Sequence, residues 1–416
     1  MAKAKRNVAT DRPGLTRPLL EFRAATEFSF GQNNVGSDGR QFGVAGERYF
    51  TSLTPFANQA VLANPRQFKV LNTAARLPCL PRARWGDDVF RGKRVLFYLP
   101  TDALGENVAM LAFLHAFVEQ RGATAVGVFC AASSADIYRT SALPTVYTLW
   151  IGRRELKSWD TIVDLNQLEG RREIEFWPVD MEIGLLEAFG LAPSESYPST
   201  ARPIGKAKGD LKIGVLPLAT SPLRTLPPDA IVPLTSALFD FGDVHLCLNR
   251  LQHQGVLYGN TVAGKLSPGV TVTPGFDSIA ALLRAIEGFD YVVLADSGPA
   301  HMTKLFAVPG VAIYTSAPGD VLQGRFANLA RWHVPFEGPH CTAPCGLAKV
   351  RQTADGRIGC MGSLGVTVED LPSAGGGADP SAVERLMREP VPCVAALADD
   401  PRPMIDFVVA DLESRL

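Results

Sequence analysis

A run of five unbroken apolar residues, Tyr291-Val292-Val293-Leu294-Ala295, ends on Asp296-Ser297-Gly298 and continues as Pro299-Ala300-His301-Met302. So short an apolar run suits a strand buried on both faces, as in a parallel sheet. The residues after it suit a helix start, with Asp or Ser available as a cap and Pro299 in the first turn, where no N–H is needed. The first amides of such a helix are unpaired and carry a partial positive charge, so the turn attracts phosphate. Gly298 lets a ligand approach the main chain closely, and Asp296, Ser297 and His301 bring polar groups to the carboxyl edge of the sheet, where open α/β folds bind ligands. The same six residues also describe an ordinary capped helix with a surface histidine, so the rest of the chain has to decide.

The chain has 416 residues, with 41 Lys and Arg against 42 Asp and Glu. That length allows two or three domains with sizeable cores, and the balanced charge argues against nucleic acid as the main partner. Met1 to Arg6 is basic, but no apolar run follows as in a secretory signal, and no apolar segment is long enough to span a bilayer. The expected location is the cytoplasm. In that reducing compartment the seven cysteines read as thiols or metal ligands, not as a disulfide framework.

Residues 1–90 are rich in Gly, Asn, Pro and Phe, as in Phe28-Ser29-Phe30-Gly31 and Gly36-Ser37-Asp38-Gly39, and predict a β-rich appendage of short strands and turns. From 91 to 207 the pattern alternates: strand 95–99, helix 107–120, strands 125–130, 145–149 and 161–165, helix 180–190, then a Pro- and Gly-rich linker. A second alternation opens at 208 with strand 212–216, helix 229–239, strand 243–248, helix 277–287, and strands 291–295 and 311–314. A short helix is predicted near 381–388 and an amphipathic one over 403–416. The fold class is therefore α/β, with two Rossmann-like doubly wound domains and an expected cleft between them.

Three further groups carry chemistry. Thr101-Asp102-Ala103-Leu104-Gly105-Glu106 follows the first strand of the first alternation, and its two carboxylates are either helix-terminal charges or candidate general bases. Thr220-Ser221-Pro222-Leu223-Arg224 follows the first strand of the second alternation; a guanidinium there offers forked donors to phosphate, and Thr220 and Ser221 add hydroxyls. Cys341, Cys345 and Cys360, with Cys393 as a fourth and His340 as a possible substitute, suit a structural zinc or iron site within about 340–393. Buried free thiols are the alternative. Cys79, Cys130 and Cys247 are scattered and read as small buried hydrophobes. There is no Walker-type loop and no Asp-x-Asp at a convincing strand end, which argues against P-loop chemistry and against a catalytic divalent metal.

Leu104-Gly105-Glu106, Arg224-Thr225-Leu226-Pro227 and Asp296-Ser297-Gly298-Pro299-Ala300-His301-Met302 together resemble the heptosyltransferases of glycosyltransferase family 9, over roughly residues 94–314. The resemblance implies the GT-B fold and transfer of heptose from an ADP-sugar with inversion. It implies Glu106 or Asp102 as base, although the family usually has an aspartate after the glycine. It also implies Arg224 in place of the donor-contacting lysine, with Thr220, Ser221, Asp296, Ser297, Gly298, Pro299, Ala300 and His301 on the donor side. The cysteine group and long N-terminal appendage are most similar to the bacterial autotransporter heptosyltransferases. These carry an iron finger, which implies iron at Cys341, Cys345, Cys360 and Cys393, a homo-oligomer, and protein serine as acceptor. A lipopolysaccharide-core acceptor stays open, as do a sugar-nucleotide epimerase or hydrolase and a catalytically silent, metal-stapled binding protein.

Overall fold

The computed structural model describes residues 19–28, 43–52, 60–148, 150–166, 180–249, 253–372 and 380–416. Of the N-terminal turn motifs, residues 29–31 and 36–39 lie outside them. By their contacts the described residues form two compact units. One draws on Met1–Asp102, Leu114–Ile174 and Leu186–Ala192, the other on Ala103–Phe113, Glu175–Leu185 and Pro193–Leu416. The first turns of the Leu104–Arg121 helix thus belong with the second unit, while the strand before it belongs with the first.

In the first unit, strands β1 (Leu19–Ala24), β2 (Arg48–Ser52) and β3 (Phe68–Ala75) run antiparallel. Strands β4 (Arg94–Leu99), β5 (Ala125–Cys130), β6 (Pro144–Thr148) and β8 (Thr161–Asp164) form a parallel sheet in the order β6-β5-β4-β8. The short β7 (Trp150–Gly152) leaves that alternation and pairs with β2, so the N-terminal strands form the sheet β3-β1-β2-β7. Burial explains why. Along β4 side chains alternate between faces. Phe97 packs edge-on against Phe117 of the Leu104–Arg121 helix, with centroids 5.0 Å apart. Leu96 and Tyr98 share a core with Leu19, Phe50 and Leu77. A sheet buried on both faces needs a cover on each, and here the N-terminal strands supply one where a helix would otherwise lie. Leu19, Phe50, Ala75 and Leu77 of the appendage, to which the sequence assigned no chemistry, are part of this core.

The second unit holds β9 (Leu211–Leu216), β10 (Gly242–Cys247), β11 (Thr271–Thr273), β12 (Tyr291–Ala295), β13 (Gly310–Tyr314) and β14 (Leu329–His333). All pair parallel in the order β11-β10-β9-β12-β13-β14. Counted from β9 this is 3-2-1-4-5-6, the doubly wound order. Its core joins Ile213, Val215, Val293 and Ile313 to Ile231 and Leu234 of the Pro228–Ala237 helix. Met404, Val408 and Leu412, one face of the Arg402–Ser414 helix, close the same core. The structure adds β11, β14 and the His253–Val262 helix to the sequence expectation.

Candidate functional site

Strand order fixes where a ligand can enter the second unit. Chain connections leave β9 and β12 in opposite directions across the sheet, so a crevice opens beyond their carboxyl ends. The loop after β9 carries Arg224 and the turn after β12 carries Asp296 to His301, so two of the sequence motifs meet at this switch point.

Arg224 is largely buried, and its Nη1 lies 3.2 Å from Oδ2 of Asp296 and 3.4 Å from the Asp296 carbonyl, with Nη2 3.4 Å from Thr220 Oγ1. These contacts are long for a charged pair. The enclosed Nε has no hydrogen-bond partner. The guanidinium therefore retains donor capacity while being aimed by a carboxylate. Asp296 itself is 1% exposed, so its side chain orients Arg224 instead of reaching out to sugar hydroxyls.

The loop holding Arg224 is tightly closed. The Arg224 amide donates to the Ser221 carbonyl at 3.1 Å and the Leu226 amide to the Pro217 carbonyl at 2.9 Å. Thr225 Oγ1 accepts the Ala219 amide at 3.2 Å and a short contact from Gln254 Nε2. Ser221 is buried and its hydroxyl faces the Leu223 amide at 3.4 Å, an internal role, whereas Thr220 is exposed.

Beyond β12, the Gly298–Phe306 helix starts with Ser297 in extended conformation at its cap. Ser297 Oγ donates to the Ala295 carbonyl at 3.1 Å instead of capping the helix. Pro299 has no N–H, and the Ala300 amide turns back to the Ser297 carbonyl at 3.1 Å. The amide that a helix start directs outward is thus that of Gly298. One outward amide is fewer than the four that a helix start without Pro299 and the Ala300 turn would offer.

The first turn of the Leu104–Arg121 helix packs on this turn within the same unit. A Cβ on Gly105 would stand 2.6 Å from His301 Cδ2, and one on Gly298 would stand 3.0 Å from Leu104 Cδ1. Close approach requires a glycine at 105, whereas at 298 the Leu104 side chain would have to give by a few tenths of an ångström. Burial pushes the His301 imidazole well below the usual histidine range, and the charges of Lys304 and Arg224 push it further. His301 is accordingly neutral near pH 7. Because its folded value lies below the unfolded one, stability held above about pH 6.5 is lost as the pH falls and the unfolded state alone takes up the proton. Urea titrations at pH 7 and pH 5 will show a smaller acid loss for His301→Gln than for the unaltered protein; equal losses would contradict the buried neutral ring.

The two carboxylates separate. Asp102 is exposed, sits in the first unit and accepts from Ser133 Oγ at 2.9 Å. Glu106 is half-buried in the helix turn whose neighbouring residues, Leu104 and Gly105, touch Gly298 and His301. At the carboxyl end of β8, beside β4, lies a polar pair that sequence reasoning missed: Asp164 is 1% exposed and accepts from the Asn166 amide at 2.9 Å. Asp164 ends an apolar strand, and only the β4–β8 pairing shows it to stand at that sheet's own switch point.

One turn along from His301, Lys304 is buried and donates to the Leu322 carbonyl at 2.8 Å; burial pushes it down to about 8. Asp180 and Glu182 offset part of that shift. Glu182 Oε1 pairs with Arg325 Nε at 3.0 Å, with the carboxylate 2% exposed. Breaking such a buried pair leaves a charge uncompensated, so Glu182→Ala is expected to cost about 3–5 kcal/mol in chemical denaturation. A loss below about 1 kcal/mol would mean the pair is solvated.

None of the seven cysteines is in a disulfide. Cys341, Cys345, Cys360 and Cys393 line one small cavity together with Leu223 and Ser316. His340 is exposed and is not part of that lining. Among the described residues no group of three or more His, Cys, Asp or Glu side chains stands in metal-holding geometry. Burial, with the neighbouring thiols, raises Cys341, Cys345 and Cys393, the last to about 12. As placed they are thiols that a metal would have to deprotonate and draw together. The donor set, sulfur only and from three chain segments, fits zinc or iron. Cys130 and Cys247 are buried in β5 and β10, where burial pushes each up to about 12. No helix among the described residues is long and apolar enough to cross a membrane.

No family model and no curated protein matches the chain. Solved structures do match. A glycosyl transferase family 9 protein from Veillonella parvula DSM 2008 aligns at TM-score 0.45 and 14% identity, over 59% of this chain and 86% of its own. The E. coli heptosyltransferase WaaC with ADP aligns at TM-score 0.43 and 15% identity, over 58% and 93%. The dodecameric iron-containing heptosyltransferase TibC, in complex with ADP-D-beta-D-heptose, aligns at TM-score 0.40 and 10% identity, over 79% and 80%; TibC comes from enterotoxigenic E. coli H10407.

Proposed function

We propose that the protein is an inverting glycosyltransferase of GT-B type that moves heptose from ADP-heptose to an acceptor hydroxyl. The observation that supports this most is Arg224: a largely buried guanidinium at the switch point, with an unpartnered Nε, beside a helix N-terminus. A diphosphate is the chemistry that such donors suit. In this reading the diphosphate lies on Arg224 and the Gly298 amide, with neutral His301 as a further donor. Glu106 takes the proton of the acceptor hydroxyl as its oxygen attacks the anomeric carbon. The bond from that carbon to the phosphate oxygen breaks through an oxocarbenium-like state, its electron pair leaves with ADP, and Arg224 offsets the developing charge.

The acceptor we propose is a serine hydroxyl of a protein such as an autotransporter adhesin, a choice supported by the four-cysteine pocket and the N-terminal sheet. The pocket would hold one iron, or zinc, through Cys341, Cys345, Cys360 and Cys393, crosslinking three chain segments, and the chain would work as a homo-oligomer in the cytoplasm. Elemental analysis should then find about one metal per chain, lost in Cys341→Ser and Cys345→Ser together with a lower melting temperature. Protein with no metal but full stability would remove this part of the proposal.

The deciding experiment incubates ADP-heptose with the purified protein alone, with an autotransporter polypeptide and with lipopolysaccharide core, reading ADP release and acceptor mass. Release that depends on the polypeptide, with one heptose added, is the expected result. Dependence on the core would replace the acceptor, equal release without acceptor would indicate a hydrolase, and no release would overturn the enzyme reading.

A further inference from the structure

We propose that Leu223 is a positioning residue that couples the four-thiol pocket to Arg224, so that the pocket's state sets the unit's affinity for a nucleoside diphosphate. This rests on the donor-site reading above. Leu223 is 1% exposed and packs in one apolar cluster with Cys345, Cys360, Cys393, Leu347 and Val391. It lines the same small cavity as the four cysteines. The next residue is Arg224, so one peptide unit separates the side chain in the pocket from the side chain aimed at the ligand.

That peptide unit has little slack. The Leu223 carbonyl accepts Thr315 Oγ1 at 2.6 Å, and the Ser316 carbonyl accepts the amide of Gly346, next to Cys345, at 2.6 Å. The loop is closed at 221–224 and again at 217–226 by its own backbone hydrogen bonds. Neighbouring Cα atoms are held about 3.8 Å apart by a planar peptide, so a displacement of Leu223 is passed to Arg224. At the far end, the Arg224 contacts to Asp296 are 3.2 and 3.4 Å, near the limit of a hydrogen bond, so shifts of a fraction of an ångström make or break them. The four sulfurs as placed are not in metal-holding geometry, so drawing them to one thiophilic metal would contract the pocket that Leu223 lines, whereas without the metal they stay uncrosslinked. By linkage, a pocket that favours one placement of Arg224 must in turn be favoured by the diphosphate.

The test is calorimetric titration of ADP into the full-length protein as purified, after chelator treatment, and as Leu223→Ala, Arg224→Lys and the double variant. Circular dichroism and metal content are measured on each. Leu223→Ala and chelation should each weaken ADP binding about tenfold, and neither should weaken it further in the Arg224→Lys background. Independent, multiplying effects would overturn the coupling, because loosened packing alone would add to the loss at Arg224. Unchanged affinity in folded Leu223→Ala would overturn it too. Should Leu223→Ala fail to fold, Thr315→Val removes only the hydroxyl that holds the Leu223 carbonyl, and the same cycle applies. ADP binding by the unaltered protein without coupling sinks this inference alone; no ADP binding sinks the donor-site reading, and this inference with it.

Discussion

Arg224→Ala is expected to weaken ADP binding by about 10- to 150-fold, corresponding to the roughly 1.5–3 kcal/mol of a hydrogen bond to a charged group. Two effects combine. The diphosphate loses its forked donor, and Asp296, almost fully buried, loses the cation that offsets its charge. The second effect lowers stability as well as affinity, so Arg224→Lys is the informative companion: it keeps the charge beside Asp296 but lacks the planar fork. Titration calorimetry and denaturation of both variants separate the two. If Arg224→Lys restores stability and leaves affinity low, the guanidinium holds the diphosphate; if both variants bind ADP like the unaltered protein, Arg224 only serves the fold.

Glu106→Gln is expected to lower kcat by about 10²–10⁴-fold with ADP affinity little changed, the usual contribution of a general base. Asp102→Asn should change kcat by no more than a few-fold. The difference follows from where the helix begins: its first turn packs on His301 and Gly298, while Asp102 is exposed and held by Ser133. A reversed result, with Asp102→Asn inactive and Glu106→Gln active, would exchange the two roles. Gly105→Ala tests the same contact sterically, since its methyl would meet the His301 ring at 2.6 Å, and overpacking of this kind costs about 1–3 kcal/mol.

Most strands and helices of the two parallel sheets were legible because short apolar runs and 3.6-residue spacing are local signals. Tyr291–Ala295 forms a strand with the predicted bounds, and the Arg402–Ser414 helix buries Met404, Val408 and Leu412 at helical spacing. The role of the N-terminal strands was not legible. Period-2 alternation shows that a strand has two faces, but not that Leu19 and Phe50 would cover Leu96 and Tyr98. Nor does a lone carboxylate at a strand end, as at Asp164, reveal which strand will lie beside it.

Of the site, the sequence by itself determined the parts: a guanidinium after one strand, an Asp-Ser-Gly turn after another, a Gly-Glu helix start, and four cysteines in a weakly apolar region. Each follows from residue chemistry and local spacing, which need no partner. Only the tertiary structure decided their pairing. It put Asp296 on Arg224, buried His301 against Gly105 so that the ring is held neutral, and set Leu223, the residue before Arg224, in one apolar cluster with the cysteines. Strand order is a long-range property: β9 and β12 become neighbours although 74 residues separate the end of one from the start of the other, positions 217 to 290. Burial, which sets both the His301 protonation state and the Asp296 pairing, exists only once those distant segments have closed over one another.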